Sequence, residues 1–164
     1  MKRLFITLAL FIVTFASQAQ NVEIPDEISL ITPEDFKNSE DLLLQSIEWL
    51  NETPIDKQTK KRKEINGFVM RWLTESPSVS IEVKEGLAPL GCPDCLMAFL
   101  TGWTKYSLEN NYSKNKVNCA LAGIENSIEL YTKNKDVIGK NSEIEKLIKK
   151  QRKGKLRDFV ESKF

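Results

Sequence analysis

Apolar residues recur at helical spacing along most of the chain. One stripe at Ile65, Phe68, Val69, Trp72 and Leu73 follows the i, i+3, i+4, i+7 pattern of a helix with one buried face. Stripes of the same period include Phe36, Leu43, Ile47 and Leu50; Leu96, Phe99, Leu100 and Trp103; Val117, Leu121, Ile124, Ile128 and Tyr131; Ile144, Leu147 and Ile148; and Leu156, Phe159 and Val160. The pattern predicts a mainly α fold, a compact bundle of five to six helices.

One segment follows a different period. Residues 78–83 alternate polar and apolar side chains, which is typical of a half-buried strand. The pattern therefore allows one short strand near residues 79–83.

Helix starts carry recognisable signals. Thr32 before Pro33 combines a capping hydroxyl with a proline suited to the first turn. Asp56 is a candidate cap for the second long helix, and Ser142 with Glu145 matches a capping box. Residues 57–63, which open that second helix, are strongly basic and are expected to be solvated.

The first 19 residues have the pattern of a secretory signal peptide. Lys2 and Arg3 precede an apolar stretch over residues 4–15, and Ser17-Gln18-Ala19 is a small-residue cleavage site. The apolar stretch is shorter than the roughly 20 residues that span a bilayer, although an uncleaved anchor is the alternative. We predict export to the periplasm or the exterior.

Residues 20–164 then form the mature chain. We expect a single helical domain with an extended N-terminal arm over residues 20–31, which Pro25 interrupts. No second apolar span follows, so we expect no membrane span in the mature chain.

Charge is balanced overall and uneven along the chain. Without Lys2 and Arg3, 22 basic residues face 23 acidic ones, so nucleic acid is not an expected partner. Residues 23–52 hold nine acids and one lysine, whereas residues 140–164 hold nine basic residues and four acids. The basic end is either a patch for an acidic partner or a complement to the acidic end of the same domain.

The chain contains no histidine. Ser-His-Asp triads, Cys-His dyads, histidine zinc ligands and the CxxCH haem attachment are therefore excluded. No carboxylate pair stands out as an acid/base couple, and we expect neither a catalytic residue nor a cofactor.

The stretch PLGCPDCLMAFLTGW places Cys92 and Cys95 at a helix start, with Pro93 in the first turn. A thiolate at Cys92 would gain from the helix dipole, and the motif resembles the CPxC of disulfide oxidoreductases. A thioredoxin fold would need further strands and a cis-proline loop, but only helical patterns and no proline follow Pro93. A metal site would have only Cys119 and Met97 as further soft ligands, too few for a zinc set.

A covalent staple is the remaining interpretation. If the helices on either side of residues 110–114 form a hairpin centred near Tyr112, Cys119 lies level with Lys105, about 15 Å from Cys95. We predict a Cys92–Cys95 disulfide and a free thiol at Cys119. A bond from Cys119 to either cysteine stays open, because the hairpin is itself inferred.

Two other groups of residues have a functional and a structural interpretation. Asp94, between the cysteines, is either a proton acceptor or a carboxylate that stabilises the helix start. The large aromatic side chains either line a ligand cleft or fill the core, and we favour the core because their helical stripes must be buried. These residues are Trp49, Trp72, Trp103, Tyr106 and Tyr131.

The helix that CLMAFLTGW opens is similar to one in the Rap1a/Tai-type immunity proteins, small periplasmic helical proteins that bind and neutralise a secreted toxin. The likeness rests on Cys95, Phe99, Leu100, Gly102 and Trp103, and on the layout over residues 95–147. The C-terminal cysteine of that family has no counterpart here, and no binding residue is carried over. The chain also resembles small uncharacterised exported bacterial helical proteins.

We therefore predict an exported, non-enzymatic binding protein, with an inhibitor or immunity-type role as its most specific form. The alternative is a thiol-redox accessory protein that uses Cys92 and Cys95. The sequence leaves the protein partner and the oligomeric state open.

Overall fold

The computed structural model describes residues 22–164, so the predicted signal peptide and its cleavage site lie outside the described residues. Within this range the elements are α1 (Pro33–Asn38), α2 (Glu40–Glu52), α3 (Thr59–Glu75), α4 (Pro93–Glu109), α5 (Lys116–Lys133), α6 (Lys135–Ile138), α7 (Ser142–Arg152) and α8 (Leu156–Glu161). The predicted mainly α fold is confirmed, with eight helices in residues 22–164 rather than five to six. Residues 22–31 precede the first helix.

The prediction of a short strand near residues 79–83 is wrong. Those residues carry no strand, and across residues 22–164 the β-type pairing is limited to one isolated bridge between Glu85 and Ala88. Val79 is buried against the helical core, but no second strand is available to complete a ladder. Alternation of polar and apolar residues therefore indicates that one face of this segment is buried, but it does not show that the segment pairs with another strand.

The helix expected from Thr32 to Leu50 is divided at Ser39. The capping box of α1 forms as predicted, with Thr32 as the N-cap. The Ser39 hydroxyl then donates to the carbonyl oxygen of Phe36 at 2.8 Å and accepts the indole N–H of Trp72 at 3.0 Å. The break at Ser39 therefore gives the indole N–H of the fully buried Trp72 a hydrogen-bond acceptor.

Two predicted caps are wrong. Asp56 forms an ion pair with Lys57, and α3 starts from Gln58, which makes no capping side-chain bond. Ser142 is already helical, because the Asn141 side chain caps α7 by accepting from two backbone N–H groups.

An antiparallel hairpin of α4 and α5 forms the centre of the fold. Asn126 donates to the carbonyl oxygen of Ala98 at 2.8 Å, and Ser127 donates to that of Cys95 at 2.7 Å. The helices approach closely at Gly102 and Gly123, where an added Cβ would meet backbone atoms of the other helix at 2.7 Å. The predicted register is confirmed, because this pairing places Cys119 far from Cys95 along the hairpin.

The other helices surround this hairpin on different sides. Helix α2 contacts α3 and α4, whereas α7 and α8 contact α5 and each other. The buried apolar residues form a core cluster that draws on α1 to α5, α7 and α8. None of the helices in residues 22–164 is both long and apolar enough to cross a membrane.

Candidate functional site

The two cysteines of the CPDC motif lie where the sequence predicts, at the start of α4. Cys92 is the N-cap, Pro93 is the first helical residue, and the two sulfur atoms are at disulfide distance, 2.00 Å, with Cα atoms 5.2 Å apart. The backbone N–H of Cys95 also points to the Cys92 sulfur at 3.3 Å. The arrangement fixes the first turn of the central helix covalently.

The burial of both cysteines argues against a redox role for this disulfide. Cys92 is 4% exposed and Cys95 is 0% exposed. Gly91, just before Cys92, donates its N–H to Glu143 at 3.1 Å and accepts from the Asn141 side chain at 3.3 Å, which holds it against α7. Thiol–disulfide exchange requires a thiolate to reach a sulfur atom, so the closed site favours a structural bond.

Cys119 lies in the first turn of α5, outside any disulfide and buried at 1% exposure. Its sulfur is 3.5 Å from the carbonyl oxygen of Ser113, and burial raises the pKa of the thiol. A neutral thiol in this position behaves as a small apolar side chain. Within residues 22–164, no cluster of three His, Cys, Asp or Glu side chains could hold a metal ion.

The aromatic residues singled out in the sequence are mainly in the core. Trp49, Trp72, Trp103 and Tyr131 are buried, and Tyr106 is half-buried beside them. The Tyr131 hydroxyl donates to Glu145 and accepts the backbone N–H of Asn141, which ties α5 to the start of α7. The interpretation as core packing is confirmed for the four buried residues, Trp49, Trp72, Trp103 and Tyr131. These four side chains therefore do not form a ligand cleft.

The outer surface of α7 and its flanks is strongly basic. We call this surface the cationic face and define it by five side chains: Lys140, Lys146, Lys149, Arg152 and Lys153. Lys146, Lys149 and Lys153 recur at i, i+3, i+7, so they share one side of the helix. All five are exposed and line the same groove of about 570 Å³, which the half-buried Ile148 also lines.

The two acids of α7 bond to other elements, although Glu145 also lines the groove and interacts electrostatically with Lys140. Glu143 accepts the Gly91 N–H, and Glu145 forms an ion pair with Lys135 at 2.5 Å. Hydrogen bonds from Lys135 and then Tyr131 lower the pKa of the Glu145 carboxyl. Both carboxylates are therefore engaged with other elements, and among the described residues no ion pair includes any member of the cationic face.

The acidic end of the chain has other partners. In α2, Glu48 pairs with Lys105 and Glu52 pairs with Lys133, while Glu40 accepts the Tyr112 hydroxyl. Helix α2 packs on α3 and α4, whereas α7 packs on α5 and α8. These three α2 carboxylates therefore form no direct ion pair with the basic residues of 140–164.

Arg62 is buried, so the prediction that it is one of the solvated basic residues is wrong. It is 7% exposed, and its guanidinium donates to the carbonyl oxygens of Leu50, at 3.1 Å, and Thr53. These carbonyls lie at the C-terminal end of α2, where a cation is favourable. Burial lowers the pKa of Arg62, and the nearby Asp94 carboxylate opposes that change.

The sequence contains a signal for this burial. Arg62 lies three residues before Ile65 and seven before Val69, on the same side of the helix. A charged residue in register with an apolar stripe indicates a buried or capping role rather than a solvated one.

Comparison of the chain with protein-family models, with curated proteins and with solved structures finds no match.

Proposed function

We propose that this chain is an exported, non-enzymatic binding protein that recognises an acidic surface of a protein partner through the cationic face of α7. The observation that carries the proposal is the concentration of unpaired cations there. Four lysines elsewhere, Lys57, Lys105, Lys116 and Lys133, have carboxylate partners within 4.0 Å. Other exposed lysines without an ion pair, such as Lys37, Lys63 and Lys114, lie on different parts of the fold and do not form a cluster with one another.

Physical chemistry supports a role in recognition for such a surface. Like charges held side by side repel one another, so the five cations of the face are a cost to the isolated fold. A complementary acidic surface removes that cost and accelerates association through electrostatic steering. The apolar side chain of Ile148 lies in the same groove, among the charged side chains. A partner could bury it and so add a small apolar contact to the electrostatic ones.

An inhibitor or immunity-type role is the most specific form of this proposal. The support is the likeness of the α4 sequence to Rap1a/Tai-type immunity proteins and the helical fold. The thiol-redox alternative has less support, because both sulfur atoms are buried.

A charge-reversal experiment tests the proposal. The tagged mature protein is used to capture partners from the envelope fraction of its own source, alongside Lys146→Glu/Lys149→Glu/Lys153→Glu. The matched control is Lys37→Glu/Lys63→Glu/Lys114→Glu, which makes the same change in net charge at exposed positions on other elements. We expect the wild type and the control to retain a partner that the α7 variant loses.

Two results would contradict the proposal in different ways. Equal capture by the α7 variant would show that another surface makes the contact. Absence of any captured protein with the wild type, at low as well as physiological salt, would remove the binding function itself.

A further inference from the structure

A small cavity lies where four helices of the fold meet. Leu50 and Asn51 of α2 and Leu130 of α5 form part of its wall. The rest comes from Arg62 and Asn66 of α3 and from residues of α4, namely Asp94, Met97, Ala98 and Thr101. It is separate from the cationic face and close to the first turn of α4, where the disulfide is located.

Two buried polar atoms of residues that line this cavity have no hydrogen-bond partner among the described residues. The Nε–H of Arg62 is a buried donor without an acceptor, and Oδ1 of Asn66 is a buried acceptor without a donor. The two residues are four apart in α3 and line the same space, yet these atoms do not bond to each other. Buried polar groups in folded proteins are almost always satisfied by protein or by ordered water.

The size and charge of the cavity restrict what could bind to these two polar atoms. Its volume is about 10 Å³, which is room for a single water and not for a larger ligand. An anion would face the Asp94 carboxylate, and a cation would face the Arg62 guanidinium. A neutral molecule that both accepts and donates hydrogen bonds suits the two unpaired atoms.

We propose that this cavity is a binding site for one buried water molecule, which accepts the Arg62 Nε–H and donates to Asn66 Oδ1. Its second hydrogen is available to the Asp94 carboxylate, which lines the same cavity. The water completes the solvation of a charged side chain that no carboxylate contacts directly. It also gives α3 a polar link to the start of α4.

A high-resolution crystal structure of the protein tests this site. We expect an ordered water within roughly 3.2 Å of both Arg62 Nε and Asn66 Oδ1. In solution, the Arg62 Nε–H resonance should show magnetisation transfer from a water that stays bound longer than surface water. A direct bond from Arg62 Nε to Asn66 or Asp94 with no water between them, an empty cavity, or an ion in the cavity would overturn the proposal.

Variants of the cavity wall provide a second readout. Asn66→Leu removes the acceptor and fills the space, so the water signal at Arg62 should disappear. Met97→Leu changes the apolar wall at similar volume and should keep it. Retention of the same water in Asn66→Leu would contradict the assigned hydrogen bonds, and the wild-type structure decides the question even if a variant does not fold.

Discussion

Gly123 of α5 lies directly against Phe99 of α4, and a Cβ at Gly123 would stand 2.7 Å from the Phe99 carbonyl oxygen. The same Cβ would meet the Phe99 ring at 2.9 Å. Backbone atoms cannot move aside as a flexible side chain can, so the two central helices can approach this closely only with glycine here.

We predict that Gly123→Ala destabilises the fold by about 1–3 kcal/mol through overpacking at this helix crossing. Gly67→Ala is the matched control, because a Cβ at Gly67 in α3 would meet nothing within 4 Å. Alanine is the better helix former, so that variant should be neutral or more stable by up to about 1 kcal/mol. Denaturant unfolding measures both, and equal effects would contradict the close approach.

Thiol counting tests the cysteine assignment. We expect the unfolded protein to react with one equivalent of alkylating reagent without reductant, at Cys119, and with three after reduction. In the native protein Cys119 should react slowly, because burial raises its pKa and blocks access. A non-reduced peptide that joins Cys119 to Cys92 or Cys95 would contradict both the pairing and the hairpin register.

The disulfide should stabilise the protein modestly. The chain-entropy relation gives about 2 kcal/mol for a ring of this size, so Cys92→Ser/Cys95→Ser should lose about that much. The loss should appear in denaturant unfolding as a lower midpoint with little change in slope.

The reduction potential separates a structural bond from a catalytic one. A buried structural disulfide should have a value below roughly −300 mV. A value near −120 to −200 mV would instead support the thiol-redox alternative.

Asp35 should make stability depend on acid pH. Hydrogen bonds from the backbone N–H groups of Thr32 and Ile31, and from Ser29, lower its pKa from 3.8 to about 2. A pKa that is lower in the folded state gives stability that is present above pH 3.8 and is lost as the pH falls through about 2. Asp35→Asn should therefore melt below the wild type near pH 6, and the difference should shrink between about pH 4 and 2. A difference that does not change with pH would contradict this role for the carboxylate.

Local patterns predicted the central hairpin well. The helix start at Cys92, the turn near Tyr112 and the apolar stripes all lie close together in sequence, so they set the register without help from distant residues. The observed bonds from Asn126 to Ala98 and from Ser127 to Cys95 follow from that register.

Three of the wrong predictions depend on distant partners, whereas the two wrong caps were displaced by neighbouring residues. The break at Ser39 forms because Trp72, far along the chain, needs an acceptor. Arg62 is buried because the end of α2 needs a donor, and Val79 has no strand to pair with. The cationic face could be located by composition, but only the structure shows that the acids of α7 are occupied elsewhere.

The central hairpin also bears on the order of folding. Helices α4 and α5 are joined by only the six residues 110–115, and they make the most extensive helix–helix contact in the described part of the chain. Closing so short a loop costs little entropy, so we expect this pair to assemble early, before α2 and α3 dock on it. Mutations at the α4–α5 interface, such as Gly123→Ala, should then slow refolding. Replacement of a buried α2 side chain by a smaller one should mainly accelerate unfolding.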